Sequence, residues 1–452
     1  MIARTALQEL EKWVKRSDRK PIVLRGARQT GKTWIAREFG KRFKYFLEIN
    51  LEKEENRQLF EQQKNLDKLL QSLFLQARIP WEPEHTLLFL DEIQYSPTAI
   101  KQLRYLYEEH PSLKTIAAGS LLETLLEFKE SFPVGRVEYL NIYPVSFEEY
   151  LMTTEAETLL QEYQKIPLND FATTPLFEVF HTYAMIGGMP EILQTYIDRK
   201  DILQLSAKYD GLISGYLQDV EKYGKNPTQK KVLRHIIHTG FAEVGSRIKF
   251  QNFGASSYRS REVSEAFRAL EKAFLLHLIY PTTETQLPLK PDYKKAPKLF
   301  WCDTGLVNYY NHWQEELLHI SDLNEKYRAR ITEQIAAQEI TSKHQSILPP
   351  FSFWVRDKGS GDAEVDFVIV HKGKIIPIEV KSGKTGRLRS LHQFMERAPH
   401  QMAVRMYKGP LLLQKTKTIT AHKPYYLLNL PYFLAGKLRE YLDWMAEEMQ
   451  GR

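Results

Sequence analysis

Eight consecutive residues near the amino terminus have the types and spacing of a phosphate-binding loop. Residues 26–33 read G-A-R-Q-T-G-K-T and match the pattern G-x-x-x-x-G-K-[ST] in full. The apolar run 21–25, predicted as a strand, precedes them, and the segment 33–43, predicted as a helix, follows. Glycines let backbone N–H groups wrap phosphate oxygens, and a helix amino terminus adds partial positive charge. The predicted nucleotide-binding residues are Gly26, Ala27, Arg28, Gln29, Thr30, Gly31, Lys32 and Thr33.

An acidic pair ends a second apolar run, because residues 86–92 read T-L-L-F-L-D-E. We predict that Lys32 contacts the β- and γ-phosphates of ATP and that Thr33 and Asp91 hold Mg²⁺. Glu92 would polarise the attacking water, which favours ATP hydrolysis over nucleotide binding alone and disfavours a small-molecule kinase. If the loop and the acidic pair lay far apart in the folded chain, this prediction would fail.

Two further residues are candidates for contacts with the γ-phosphate. Ser120 ends the next apolar run, T-I-A-A-G-S, where its hydroxyl would sense the γ-phosphate or cap the following helix. Arg136 follows a glycine and would act as an arginine finger, in its own subunit or in a neighbour, or would be a surface arginine.

A second constellation lies near the carboxyl terminus. Asp366 stands in one predicted strand, and Glu379 and Lys381 stand two residues apart in the next, so that both face the same way. This is the D…E-x-K pattern, in which Asp366 and Glu379 would share Mg²⁺ and Lys381 would stabilise a hydroxide or the transition state. Glu333 or Glu339, on a preceding helix, would complete the site, and Glu333 is favoured. The alternative is an exposed edge strand with no catalytic role.

Alternating strands and helices before residue 144 predict a parallel sheet covered on both faces. After residue 144 the sequence first shows a helical pattern and then a mixture of helix and strand patterns. The predicted fold class is therefore α/β, with a three-layer P-loop NTPase core, a helical lid plus a winged helix, and a C-terminal α/β domain of the restriction-endonuclease type. The predicted boundaries are 1–150 for the ATPase core, 151–228 for the helical lid, 229–285 for the winged helix, 286–320 for a linker and 321–452 for the C-terminal domain.

The charge of this 452-residue chain is unevenly distributed. The net charge is +7, and residues 371–424 contain 12 Lys/Arg against two acids. Such a segment attracts polyanions, so we expect DNA or another nucleic acid as a partner, with a solvated basic surface as the alternative. The basic residues of the winged helix would either contact DNA or pack as a rigid transmitter between domains. They are Arg247, Lys249, Arg259, Arg261 and Arg268.

The remaining composition excludes several classes of protein. A single cysteine, Cys302, excludes an internal disulfide framework and a cysteine-based zinc site. The amino terminus has no apolar segment of a secretory signal, and no apolar run approaches the roughly 20 residues that span a bilayer. We therefore expect a cytoplasmic protein with no membrane partner.

The whole chain resembles a group of bacterial and archaeal AAA+-type, switch-ATPase-like P-loop proteins with a winged helix and a C-terminal restriction-endonuclease-like domain. The resemblance implies that Ser120 is the first sensor, that Arg136 is finger-like, and that Gly188 and Pro190 in the turn 187–190 contact the adenine. The other matching segments are 26–33, 90–92, 119–120, 135–136, 143–147, 303–306 and 364–367.

Two functions follow from these residues. The first is an ATP-hydrolysing ATPase coupled to a nuclease-like, DNA-binding C-terminal module. The second is a nucleotide-driven switch whose C-terminal domain binds a protein or nucleic acid without chemistry. The sequence leaves the oligomeric state and the pathway open.

Overall fold

The computed structural model describes residues 2–63, 65–119, 135–154, 156–224, 226–314, 328–346, 348–357, 363–383 and 388–451. The chain divides into two compact units. The nucleotide unit comprises residues 4–143 and 272–275, and the C-terminal unit comprises residues 1–3, 144–271 and 276–452.

The nucleotide unit contains a five-stranded sheet in the order β2-β3-β4-β1-β5, in which every pairing is parallel. Its strands are β1 (Ile22–Arg25), β2 (Tyr45–Asn50), β3 (Thr86–Asp91), β4 (Lys114–Ala118) and β5 (Glu138–Asn141). Its helices are α1 (Ala6–Lys15), α2 (Lys32–Gly40), α3 (Glu54–Gln62), α4 (Leu66–Gln76) and α5 (Pro97–Glu109). The parallel sheet agrees with the predicted α/β core.

Strand β3 shows why this sheet is covered on both faces. All six of its residues are buried, and side chains alternate between the two faces of a strand. Leu88 and Leu90 join one hydrophobic core, whereas Leu87 and Phe89 join the other. The strand order also places β4 between β1 and β3. The strand before the phosphate loop, β1, and the strand that ends in the acidic pair, β3, are therefore not direct neighbours.

The C-terminal unit begins with a largely helical region. Its first helix starts at a capping box, in which Ser146 and Glu149 each accept a backbone N–H from the other residue. The helices are α6 (Phe147–Thr153), α7 (Glu157–Gln164), α8 (Thr173–Ile186), α9 (Pro190–Arg199), α10 (Ser206–Tyr223), α11 (Pro227–Gly240), α12 (Ser260–Lys272) and α13 (Thr304–Tyr310). The last residue of α12 belongs to the nucleotide unit.

The region 229–285, predicted as a winged helix, contains most of α11, all of α12 and one strand of a two-stranded antiparallel sheet. That sheet pairs β6 (Leu276–Ile279) with β8 (Lys298–Trp301). Between α11 and α12 the described residues form two short 3-10 turns. The segment 286–320, predicted as a linker, contains β8 and α13, which are both largely buried.

The C-terminal unit also contains a seven-stranded mixed sheet in the order β13-β14-β12-β11-β10-β9-β7. The strands are β7 (Pro281–Thr282), β9 (Ser352–Val355), β10 (Glu364–His371), β11 (Lys374–Val380), β12 (Met402–Tyr407), β13 (Leu412–Lys417) and β14 (Pro424–Pro431). The accompanying helices are α14 (Arg328–Ser342), α15 (Arg389–Arg397) and α16 (Leu438–Gly451). Strands β10 and β11 form an antiparallel hairpin, which places Asp366 and Glu379 on adjacent strands, with Lys381 directly after β11.

Among the helices of the described residues, none is both long enough and apolar enough to cross a membrane.

Candidate functional site

The loop between β1 and α2 has a backbone that requires its glycines. Gly31 has a φ of 92° and Gly26 a φ of 152°. A Cβ on Gly26 would lie 2.0 Å from the carbonyl oxygen of Ile142, so no larger residue fits there without displacing the chain. Gln29, at a φ of 65°, adds a further left-handed position. The loop therefore has a sharply curved backbone of the kind that surrounds a phosphate group.

The lysine of the loop folds back onto it. The Lys32 ammonium donates to the carbonyl oxygens of Gly26 at 2.9 Å and Ala27 at 2.7 Å, and the residue is 8% exposed. Thr30 is fully buried and its hydroxyl also donates to Ala27 O, at 2.9 Å. Arg28 and Gln29 complete the loop, with Gln29 exposed.

The structure brings the loop and the acidic strand end together. The Thr33 hydroxyl donates to Asp91 Oδ2 at 3.0 Å. Burial, and then the neighbouring carboxylate of Glu92, raise the pKa of Asp91 to about 6, although the Thr33 hydrogen bond opposes this. A hydroxyl oxygen and a carboxylate oxygen are both ligands that Mg²⁺ accepts, so this pair fits the predicted ion.

Glu92 stands immediately after the strand in a left-handed conformation, with a φ of 53°. Its carboxylate accepts a hydrogen bond from Gln94 Nε2. A non-glycine residue in this region of φ/ψ is uncommon and is often found at functional sites.

Arg4 contacts the phosphate loop although it belongs to no sequence motif. Its guanidinium donates to Thr30 O at 2.8 Å and to Tyr143 O at 2.6 Å, and the residue is 6% exposed. It therefore ties the middle of the phosphate loop to the end of the chain segment after β5. Neither contact is local in sequence, so no spacing pattern could have indicated it.

The two weaker candidates have different outcomes. Ser120 lies outside the described residues. Arg136 is described, and its Nε lies 2.7 Å from Glu108 Oε1 of α5. It precedes β5, which runs parallel to β1, so it lies at the edge of the sheet where the strands begin, whereas the phosphate loop follows the end of β1. The three residue steps of β1 alone span about 10 Å. Arg136 is therefore not positioned to act on the nucleotide of its own subunit, and the finger role stays a prediction for a neighbouring copy.

The turn at residues 187–190 is held within the C-terminal unit. Gly188 N–H donates to Asp303 Oδ2 at 2.5 Å, and Gly188 O accepts the N–H of Val145 at 2.7 Å. A Cβ on Gly188 would lie 2.2 Å from Val145 O. These contacts explain the glycine without a ligand, so the adenine contact of Gly188 and Pro190 stays a prediction.

The C-terminal residues of the D…E-x-K pattern lie together. Asp366 Oδ2 accepts the N–H of Val380 at 2.8 Å, and Lys381 Nζ lies 2.6 Å from Glu379 Oε1. Burial, reinforced by the charge of Asp366, raises the pKa of Glu379. The other carboxylate oxygen, Glu379 Oε2, is buried and has no hydrogen-bond partner among the described residues.

The two glutamates of α14 have different environments. Glu333 Oε2 accepts a hydrogen bond from Lys298 Nζ at 3.0 Å, and the charge of Glu333 helps to raise the pKa of Glu379. Glu339 instead accepts the N–H of Phe147 at 3.1 Å and the hydroxyl of Tyr183 at 2.6 Å. The structure thus directs Glu333, the favoured residue, toward the cluster and gives Glu339 a role at the start of α6.

Two further charged residues, Lys298 and Glu364, lie beside these carboxylates and were not predicted from the sequence. Lys298 Nζ lies 2.7 Å from Glu364 Oε1, and it also approaches Asp366. Alternation along β10 could have indicated Glu364, which stands two residues before Asp366 and so shares its face. Lys298 gave no signal, because it opens a four-residue strand inside a segment that reads as a linker.

The cluster does not fit a divalent metal ion as it stands. No group of three or more His, Cys, Asp or Glu side chains suited to holding a metal occurs in the described parts of the chain. The ammonium of Lys298 lies where the carboxylates converge, and a cation already in contact with those oxygens opposes a second one. We therefore assign no metal-dependent step to Asp366, Glu379 and Glu333.

No curated protein matches the chain significantly. Among solved structures, the Walker-type ATPase PABY2304 of Pyrococcus abyssi is similar at 16% identity and a TM-score of 0.43, over 69% of this chain and 96% of that one. The Orc1 protein of Aeropyrum pernix in complex with DNA matches at 12% identity and a TM-score of 0.29, over 69% and 93%. AMPPCP-bound DnaA from Aquifex aeolicus matches at 16% identity and a TM-score of 0.29, over 59% and 86%. Such scores do not establish a common fold over the covered length.

Family profiles match three segments of the chain. Residues 177–317 match a domain of unknown function (DUF8612), and residues 328–431 match a second domain of unknown function (DUF4143). Residues 18–151 match the AAA domain, and this range includes both the phosphate loop and Asp91. Together with the parallel sheet, this match identifies the amino-terminal segment as a P-loop domain of the AAA ATPase type.

Proposed function

We propose that the nucleotide unit hydrolyses ATP with the help of Mg²⁺ and that nucleotide turnover controls the C-terminal unit. The observation that carries this proposal is the 3.0 Å contact between Thr33 Oγ1 and Asp91 Oδ2, since it joins the phosphate loop to the acidic strand end. The ion would be held through these two residues and would neutralise charge on the transferring phosphate.

The residues of the chain then have separate roles. Lys32 would exchange its bonds to the Gly26 and Ala27 carbonyls for bonds to phosphate oxygens. The curved loop would supply backbone N–H groups from residues 26–33. Glu92, directly after the metal-binding strand end, would orient the attacking water.

Substitution of Glu92 by Gln tests this assignment. We expect the variant to bind ATP with an affinity close to that of the wild type but to hydrolyse it at least tenfold more slowly, because the amide cannot accept the proton of the water. Phosphate release and equilibrium binding of a fluorescent ATP analogue measure the two properties. Glu109→Gln, at the exposed end of α5, is the matched control. Normal turnover in Glu92→Gln would contradict the role given to Glu92.

For the C-terminal unit we propose a nuclease-like module that binds nucleic acid. Its support is the basic segment 371–424, which includes the exposed Lys415 and Lys417 on β13, the strand at one edge of the seven-stranded sheet. Lysines on an edge strand can contact successive phosphates of a nucleic-acid backbone. The position of Lys298 among the carboxylates favours binding without cleavage.

The salt dependence of DNA binding tests this second proposal. Each lysine that contacts a phosphate contributes roughly one unit to the slope of log affinity against log salt. We expect Lys415→Gln and Lys417→Gln each to reduce the slope by about one, as measured by fluorescence anisotropy with and without ATP. Asp366→Ala in a parallel cleavage assay distinguishes cutting from binding. Failure of the wild type to bind DNA at low salt would refute the proposal.

A further inference from the structure

Lys298, the first residue of β8, directs a buried side chain into a group of carboxylates in the C-terminal unit. The side chain is 4% exposed. Its ammonium lies 2.7 Å from Glu364 Oε1, 3.0 Å from Glu333 Oε2 and 3.7 Å from Asp366 Oδ1. Glu333 and Asp366 are two of the residues that the D…E-x-K pattern predicts for a metal-dependent site.

This lysine remains charged in its buried position. Burial alone would lower the pKa of Lys298, but the carboxylates of Glu333, Asp366 and Glu364 together raise it above its ordinary value. A second cation supports the arrangement, since Arg247 forms an ion pair with Glu364. The cluster therefore balances its negative charge with cations of the chain itself.

Three of the four carboxylate oxygens of Asp366 and Glu379 make a hydrogen bond or an ion pair. Asp366 Oδ2 accepts the N–H of Val380, and Asp366 Oδ1 faces Lys298. Glu379 Oε1 pairs with Lys381. Glu379 Oε2 is buried and has no hydrogen-bond partner within the described ranges, and Asp366 Oδ1 meets Lys298 as an ion pair at a distance too long for a hydrogen bond. Mg²⁺ needs about six oxygen ligands at short distances, and these two oxygens, one of them beside an ammonium, do not provide them.

We propose that Lys298 is the resident cation of this cluster and that its ammonium takes the carboxylate oxygens that a divalent ion would need. The C-terminal unit would then exclude Mg²⁺ and Mn²⁺ from Asp366 and Glu379 for as long as Lys298 stays in place. The inference goes beyond the proposed function, because it requires neither ATP hydrolysis nor nucleic-acid binding. Removal of the ammonium, with the carboxylates unchanged, should convert the cluster into a metal site.

The test is a titration of the nucleotide-free full chain with Mn²⁺, in which the free ion is measured by electron paramagnetic resonance. The variants are the wild type, Lys298→Gln, Lys298→Arg, Asp366→Asn and the double variant Lys298→Gln with Asp366→Asn. We expect Lys298→Gln to gain a site that binds Mn²⁺ at least tenfold more tightly than any the wild type has. The gain should disappear in the double variant, and Lys298→Arg should behave as the wild type because it keeps the charge.

Mn²⁺ bound at the phosphate loop is common to all these proteins and cancels in the comparison. Folded Lys298→Gln protein, as judged by circular dichroism, that gains no Mn²⁺ site would overturn the proposal. If Lys298→Gln does not fold, the wild type and Asp366→Asn decide the question. Equal Mn²⁺ binding by these two supports the exclusion of metal, and weaker binding by Asp366→Asn overturns it.

Discussion

The substitution Arg4→Ala tests how far the phosphate loop depends on a residue outside its motif. Arg4 donates two hydrogen bonds from one guanidinium, to Thr30 O inside the loop and to Tyr143 O. Alanine removes both donors and leaves two carbonyl oxygens in a poorly hydrated region without these bonds. The loop contains three positions at positive φ, so its geometry depends on such external bonds more than a regular helix would.

The contacts give the size of the effect. A hydrogen bond from a charged donor contributes about 1.5–3 kcal/mol, and Arg4 is nearly fully buried, so solvent screening is small. Two such bonds set an upper bound of about 6 kcal/mol on the loss of unfolding free energy. Relaxation of the loop would reduce the measured loss to about 3 kcal/mol. If half of that free energy is also lost from ATP binding, because the loop no longer holds its binding conformation, the affinity for ATP decreases roughly tenfold.

Urea unfolding and equilibrium binding of a fluorescent ATP analogue measure the two consequences of Arg4→Ala. Arg4→Lys should have an intermediate effect, because a single ammonium does not reproduce the planar fork that serves two carbonyls. Arg16→Ala is the matched control, since Arg16 is 45% exposed and pairs with Glu138 at the surface, where such pairs contribute little. An Arg4→Ala protein with an unchanged unfolding midpoint and unchanged ATP affinity would refute the reasoning.

Two further predictions concern the C-terminal unit. Gly188→Ala places a Cβ 2.2 Å from Val145 O and should lower the free energy of unfolding by about 1–3 kcal/mol in urea denaturation. The control Gly211→Ala has open space around it inside α10 and should raise that free energy by about 0.5–1 kcal/mol, because alanine is the better helix former. A Gly188→Ala protein as stable as the wild type would contradict this packing argument. Burial raises the pKa of Glu339 to about 7, so its contribution to stability is complete below the unfolded pKa near 4.5 and is lost as the pH rises through 7. The unfolding free energy of the wild type relative to Glu339→Gln should therefore fall by about 3 kcal/mol from pH 4 to pH 8, and a constant difference would refute the assignment.

The strands of the nucleotide unit were predictable where they are buried on both sides. Runs such as 86–90 are continuously apolar, because β3 lies inside the sheet with a core on each face. Strand β5 was not predicted, since Glu138–Asn141 lies at the edge of the sheet and has a single buried residue, Leu140. Four residues of mixed polarity are too few for a periodic strand signal.

The candidate site was predictable where its residues are close in sequence. The phosphate loop and the acidic pair are each contiguous, so a linear pattern contains their chemistry. Arg4 and Lys298 were not predictable, because their contacts join residues separated by 26 or more positions along the chain. Strand β8 was not indicated by the sequence for a related reason. The Pro- and Lys-rich composition around residue 290 masked a strand of only four residues.

The seven-stranded sheet does not consist only of the segment that follows residue 320. Its edge strand β7 comes from residues 281–282, and the cation of its carboxylate cluster comes from residue 298. An excised fragment covering 321–452 would therefore lose a strand and would bring Asp366 and its neighbours together without the ammonium of Lys298. Nuclease or metal assays on such a fragment would report on a site with different electrostatics from that of the intact chain, and an activity found only in the fragment would be an artefact of the cut.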